Sequence, residues 1–346
     1  MATTSAPGTE FSSDLESAFE ADGELPEGLG PWRLAWRRLR RNKTALFFGA
    51  LFLVILALCL LAPVYSNDVA HLGIADQNID KPIVIGGKKT YVVDPTGIPI
   101  GPTWHTKYFL GADSNGRDVA VRLLYGGRNS LEVGAIATII TMVCALILGI
   151  IGGYFRGIAD TGIGIFLDSI WAYPAVLLGI ALGATLAVSG IDIGIIKISG
   201  NTLFVPAFVV GIVYIPYVAK PVRGQVLTLR EREFVDAARQ QGLSHWRIMF
   251  TEIMPNLAST IVVFVPLILA NAILLEAALS FLGAGIKPPN PSWGTMISDG
   301  VSTIPAAFHN VLVPGIMLVL TVMSINIFGD GLRDALDPRS KVRIAH

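Results

Sequence analysis

Cysteine, charge and catalytic groupings are all scarce in this chain. Its two cysteines, Cys59 and Cys144, both fall within apolar runs, which argues against a disulfide or a cysteine-based metal site. Charged residues make up 15% of the 346 positions, well below the roughly 25% of an average soluble domain. Basic and acidic residues balance at 26 each, so composition gives no support to a nucleic-acid partner. The five histidines, at 71, 105, 245, 309 and 346, share no metal-binding spacing, and no G-x-S-x-G elbow is present. GGKKT at 86 to 90 has the outline of a phosphate loop, but Pro82 stands where the first glycine belongs. The chain is therefore not expected to be an enzyme, nor to bind a metal or cofactor itself.

What is abundant is apolar sequence: 52% of residues are hydrophobic and the mean hydropathy is +0.60. Crossing hydrocarbon takes about 20 apolar residues. Six charge-poor runs reach that length: Thr44 to Tyr65, Val133 to Phe155, Ser169 to Ile191, Ile198 to Ala219, Leu257 to Leu282 and Val311 to Gly329. The first begins beyond residue 40, is too long for a signal core and has no small-x-small site after it, so it reads as a retained anchor. With the N-terminus inside, 17 of the 26 Lys and Arg residues fall on the cytoplasmic side, as the positive-inside bias requires. The expectation is an all-α membrane protein of six transmembrane helices with both termini cytoplasmic, residues 66 to 129 and 284 to 308 outside, and residues 220 to 256 inside.

Residues 1 to 31 hold seven acidic residues and no basic one, a composition too polar to bury a core and expected to be disordered. WRLAWRRLRRNK at 32 to 43 reverses the charge. It reads either as an interfacial helix on anionic membrane lipid or as a plain positive-inside anchor. A first span over 44 to 65 and an outer loop over 66 to 129 follow, and PIVIGG and TYVV in that loop suggest a short hairpin. The core runs from 130 to 332, with a cytoplasmic tail from 333 to 346. Gly149 with Gly153, and Gly179 with Gly183, make small-xxx-small spacings that let helices approach closely. Asp168 and Glu276 are the carboxylates nearest to intramembrane depth, Asp168 toward the inner end. Such charge faces protein or water. Glu276, and Asn271 in the same segment, are candidates for either a structural anchor or a pathway residue.

Between two apolar runs stands EFVDAARQQGLSHWRIMFTEIMPN at 233 to 256. Phe234, Ala237, Ala238 and Gln241 recur at helical spacing, Gly242 suits a left-handed helix stop, and Ser244 is placed to cap a second helix. Trp246, Met249, Phe250 and Ile253 form a new apolar face. Two short helices with a sharp turn are predicted, with the alanine pair free for a soluble partner. On the residues alone, docking and a self-contained connector stay open.

Asp236-Ala237-Ala238, three residues, Gly242, then Met254-Pro255 resembles the EAA loop of ATP-binding-cassette importer permeases, the coupling helix that enters a cleft on the ATPase. Asp replaces the motif's Glu, Met replaces Leu, and Ile253 sits one place later than the general pattern, while Glu233 fits the form of peptide-type permeases. FLGADSNGRDVAVRLLYGGRNSL (109 to 131), EAALSFLGAGIKPPNPSWGTMISDG (276 to 300) and FGDGLRDALDPR (328 to 339) resemble the dipeptide, oligopeptide and nickel branch. The likeness spans residue 32 to the end, leaving aside the longer segment from 68 to 106.

The resemblance implies the type I importer permease fold, half of a pathway completed by a homologous second permease, and two ATPase subunits that bind ATP and Mg in place of this chain. It implies an extracytoplasmic binding protein that delivers cargo. Glu233, Asp236, Ala237, Ala238, Gly242, Ser244 and Pro255 would then couple to the ATPase. Asp113, Asn115, Gly116, Arg117 and Asp118 look like an outer turn stitched by charge pairs to a short helix, or else a contact for the binding protein. Peptide is the expected cargo; nickel chelates, glutathione or another small solute are alternatives within the family. A secondary transporter, a channel or a membrane scaffold are alternatives from other classes, against which the coupling loop argues.

Overall fold

The computed structural model describes residues 31–79, 82–192, 194 and 197–336. The expectations for residues 1–30 and for the tail beyond 336 lie outside these. The helices are α1 (Pro31–Leu39), α2 (Lys43–Leu60), α3 (Val119–Phe155), α4 (Gly157–Trp171), α5 (Ala175–Ser189), α6 (Phe204–Leu229), α7 (Glu233–Gln240), α8 (His245–Phe281), α9 (Trp293–Val301) and α10 (His309–Leu336). Five of them are long and apolar enough to cross a membrane, and α4 with α5, bent by 90° at a short break, make a sixth span. The bend has a local cause: Pro174 disfavours helical backbone at Tyr173 before it. A single straight span from 169 to 191 was expected; the crossing instead begins at Gly157, so Asp160 and Asp168 lie within it.

α3 reaches into what the sequence reading assigned to the outer loop, starting at residue 119 rather than 133. Asp118 is the reason, its Oδ1 accepting from the amides of Ala120 at 2.8 Å and Val121 at 3.0 Å and satisfying two orphan donors of the first turn. At the other end Arg156 and Gly157 both take positive φ, 57° and 60°, and the chain reverses into α4. α2 is interrupted at Leu61, ahead of Pro63, and a helical turn at Ala62–Val64 and a widened one at Tyr65–Ala70 carry the chain past the expected end at Tyr65. α6 runs ten residues past the predicted Ala219, carrying Pro216 and Pro221 inside it. A proline in a span is tolerated where neighbouring helices cover the freed backbone, and Pro216 is buried.

α3 lies along α6 with glycine at the crossing: a Cβ at Gly149 would stand 2.8 Å from Val222, and one at Gly153 2.7 Å from Val226. The second pair works similarly, Gly179 against Leu279 and Gly183 against the carbonyl of Ala284. α1 packs on the end of α10, burying Ala35 and Leu39 beside Ala335 while Trp36 remains 54% exposed. Its apolar residues therefore divide between protein and surroundings. The 66–118 segment holds its own small core around Tyr108, with Ile85, Val92, Val93 and Ala112. Its hairpin pairs β1 (Ile83–Ile85) with β2 (Lys88–Thr90) across Gly86-Gly87, so KKT, and not TYVV, supplies the second strand. A second hairpin pairs β3 (Ile191–Asp192) with β4 (Lys197–Ile198).

Candidate functional site

The helix pair between α6 and α8 is folded into the bundle. α7 begins after Arg232 with Glu233 and Asp236 in its first turn and Arg239 in its last, a distribution that favours the helix dipole. It ends at Gly242, where φ is +77°. The amides of Gly242 and Leu243 return to the carbonyls of Arg239 at 2.9 Å and Ala238 at 3.1 Å, the double closure of a glycine-ended helix. Ser244 then caps α8, its Oγ accepting from the Arg247 amide at 3.4 Å.

Three sequence expectations change here. The second helix is not short: α8 runs from His245 through a widened turn at Ile248–Ile253 and Pro255 straight into the membrane span. Its apolar face divides, Met249 and Ile253 being buried while Trp246 and Phe250 are 57% and 58% exposed. Nor do the two alanines share a fate. Ala238 is buried with Val235 in the core formed with Ile248 and Met249, and only Ala237 is open, beside exposed Glu233 and Asp236.

The loop is anchored to α3 through Tyr154, which sequence reasoning missed. Its hydroxyl pairs with His245 Nδ1 at 2.9 Å, and its carbonyl accepts from Arg230 Nη1 at 2.5 Å. Arg156 reaches Glu231 at 3.6 Å. These pairings join residues about 75 to 90 apart in sequence, so no local pattern advertises them. At the same end of the bundle Arg223 bonds both oxygens of Asp160, and Lys220 bonds Asp168 at 2.5 Å.

At the opposite end the LGADSNGRD turn is built as a charge cluster. Asp113 accepts from the Asn115 and Arg117 amides at 2.9 and 3.0 Å, from Arg117 Nε at 2.7 Å and from Arg122 Nη1 at 2.5 Å. Both arginines also reach Asp299 of α9, at 3.0 and 3.1 Å. The short helix to which the turn is stitched is thus α9. Gly116 takes φ +69° and its carbonyl accepts the Tyr108 hydroxyl at 3.0 Å. Burial pushes the Asp118 carboxyl up from its usual range, opposed by three amide donors. Burial likewise pushes Asp299 up, against the pull of Arg117.

Glu276 is fully buried and accepts from the Ser280 hydroxyl at 2.6 Å. Ser130 and Ser292 turn toward the same carboxyl, yet Oε2 has no partner within hydrogen-bond distance. Ser280 in turn accepts the Ile286 amide at 3.0 Å, so this carboxyl holds the turn after α8. Asn271 donates to Leu267 O at 2.8 Å and is partly open. Among the described residues no group of three or more His, Cys, Asp or Glu is placed to hold a metal.

Six crossings with a folded helical loop at one end and a charge-clamped turn at the other make this a multi-pass membrane protein. Residues 145–342 match the family described as the binding-protein-dependent transport system inner membrane component, and residues 30–80 the N-terminal TM domain of oligopeptide transport permease C. The chain belongs to this family of inner-membrane components, the permeases of ATP-binding-cassette importers, and is a multi-pass protein of the bacterial cell membrane. It is 35% identical to the dipeptide transport system permease protein DppC of Alkalihalophilus pseudofirmus, covering 90% of this chain and 91% of the relative. With the glutathione transport system permease protein GsiD of Pectobacterium atrosepticum it shares 33% identity over 90% of this chain and 92% of the relative. A solved structure of the MetNI methionine ABC transporter, inward facing, superposes with a TM-score of 0.50 at 17% identity, over 62% of this chain and 96% of that one. At that identity the likeness is one of fold.

Proposed function

We propose that this chain is one of two homologous permease subunits of an ATP-driven peptide importer, with residues 233–255 as its contact to an ATPase. The observation that carries the coupling role is the contrast within α7. Val235 and Ala238 are locked into the bundle core, while Glu233, Asp236 and Ala237 stand exposed on the other side. A helix backed so firmly transmits displacement to α3 and α8 instead of absorbing it. ATP and Mg belong to the partner ATPases. A ligand shifts a conformational equilibrium only by its differential affinity for the two states, and closure of the ATPases on ATP supplies that difference. An extracytoplasmic binding protein delivers the cargo on the face carrying the LGADSNGRD turn, and α7 faces the cytoplasm.

Peptide as cargo follows from the dipeptide and di/tripeptide permeases among the relatives. The glutathione permeases match nearly as well and favour glutathione as a second reading, which competition between labelled dipeptide and glutathione for uptake decides. The coupling role is tested with Ala237→Arg, compared with Gln240→Ala at matched membrane expression. The expected outcome is loss of uptake and of ATPase co-purification for the arginine variant alone. Normal transport with full ATPase retention would show that α7 is not the contact.

A further inference from the structure

α10 turns Leu312, Ile316, Val319 and Met323 outward, an unbroken apolar stripe suited to lipid. The surface made by α4 and α6 differs in kind. Within the α6 span, Lys220 places Nζ 2.5 Å from Asp168 Oδ1 and 3.8 Å from the centroid of the Trp171 ring. Tyr217 packs on Trp171 at 5.5 Å and on Tyr214 at 5.3 Å. Tyr214 in turn donates to the Asn271 carbonyl at 3.2 Å. The array is open: the Asp168 side chain is 68% exposed, Trp171 47% and Tyr217 40%. It sits beside the 90° break between α4 and α5, toward the end of the bundle that carries the helical loop.

Charges in a span are costly against lipid tails and are kept where they face protein or a water-filled cavity. A carboxylate beside aromatic faces is the chemistry that holds an ammonium ion, since ring quadrupole and negative charge attract it together. Lys220 displays that chemistry at work: the site is filled by the chain's own primary ammonium.

We propose that Asp168, Trp171 and Tyr217 form a binding site for the α-ammonium of the peptide cargo, and that Lys220 occupies it when cargo is absent. The inference rests on the peptide-importer reading above. One primary ammonium replaces another, so the exchange changes no charge in the site, and the flexible lysine stem gives Nζ room to withdraw.

The test uses Lys220→Cys in the complete transporter, assembled with the second permease and the ATPases in phosphatidylcholine bilayers. Alkylation of the introduced thiol by N-ethylmaleimide is followed by mass spectrometry, with the best-transported member of a di- to tetrapeptide panel added as probe. The free peptide should slow alkylation several-fold, its N-acetyl derivative should not, and adding Asp168→Asn should abolish the protection. Equal protection by both peptides, or by neither, overturns the site. Protection by phosphatidylethanolamine without peptide shows that the ammonium is a lipid's and overturns the cargo assignment. Should Lys220→Cys not assemble, Gly224→Cys, one turn further along α6 at an exposed position where an added carbon meets nothing within 4 Å, reports with the site intact. Uptake by the unmodified transporter is measured in parallel. Failure to take up any peptide sinks the importer reading, whereas uptake without ammonium-specific protection sinks this site alone.

Discussion

Asp113 accepts four hydrogen bonds on two oxygens and is the charge that allows Arg122, 4% exposed, to be buried. Leaving a buried charge with no partner costs about 3 to 5 kcal/mol, and loss of Asp113 costs less than that because Asp299 still pairs with both arginines. Asp113→Asn keeps the shape and loses the charge, so the purified complex should unfold several degrees earlier; an unchanged midpoint would remove the cluster from the stability of this face. Gly242 is a second decisive position, because φ +77° is open to glycine and strained for β-branched residues. Gly242→Val should reduce uptake and ATPase retention together, with insertion unaffected on a membrane fraction blot. The glycine was legible in the sequence, since a helix stop in the left-handed region leaves few other choices. The fate of its neighbour was not. Whether Ala238 or Ala237 faces the core depends on the rotation of α7 against Ile248 and Met249, and two adjacent alanines carry no mark of which is which.

Among the elements, long apolar runs announced themselves and their ends did not. Charge-free length locates the hydrocarbon part of a helix, but α3, α6 and α8 continue beyond it because caps and tertiary contacts, not apolarity, set their limits. The bent pair α4 and α5 was misread for the converse reason: the expected span began at residue 169, just past Asp160 and Asp168, and their partners Arg223 and Lys220 lie more than 50 positions away. The glycine spacings were read correctly. In a membrane the association of helices depends on close packing, so Gly153→Ile, which drives a side chain into Val226, should separate α3 from α6. Gly224→Ala on α6, with nothing within 4 Å of the added carbon, is the matched control. The first should be recovered in low yield and degraded, the second at wild-type level, as measured by quantitative blotting after membrane extraction; equal recovery would deny that this crossing is tight.

For the molecule as a whole, the arrangement of termini and loops rests on lysine and arginine counting. An even number of crossings leaves α1 and the end of α10 in contact, with α7 at the same end. Thr96→Cys and Gln240→Cys, both at exposed positions, test the sidedness: an impermeant thiol reagent applied to intact cells should label the first and spare the second, and the reverse pattern would invert the molecule. The length of α3 then has a mechanical meaning. At 1.5 Å per residue its 37 residues make a rod about 55 Å long, well beyond a hydrocarbon layer of about 30 Å. Asp118 fixes one tip among the loops, and Tyr154 fixes the other to His245 and Arg230. A rigid beam pivoting at its middle by about 10° carries each tip through about 5 Å, in opposite directions. Were α3 to move in that way, a pull at the Tyr154 end would reach the Asp113 cluster as an equal and contrary stroke, with no message needing to pass from side chain to side chain along the way.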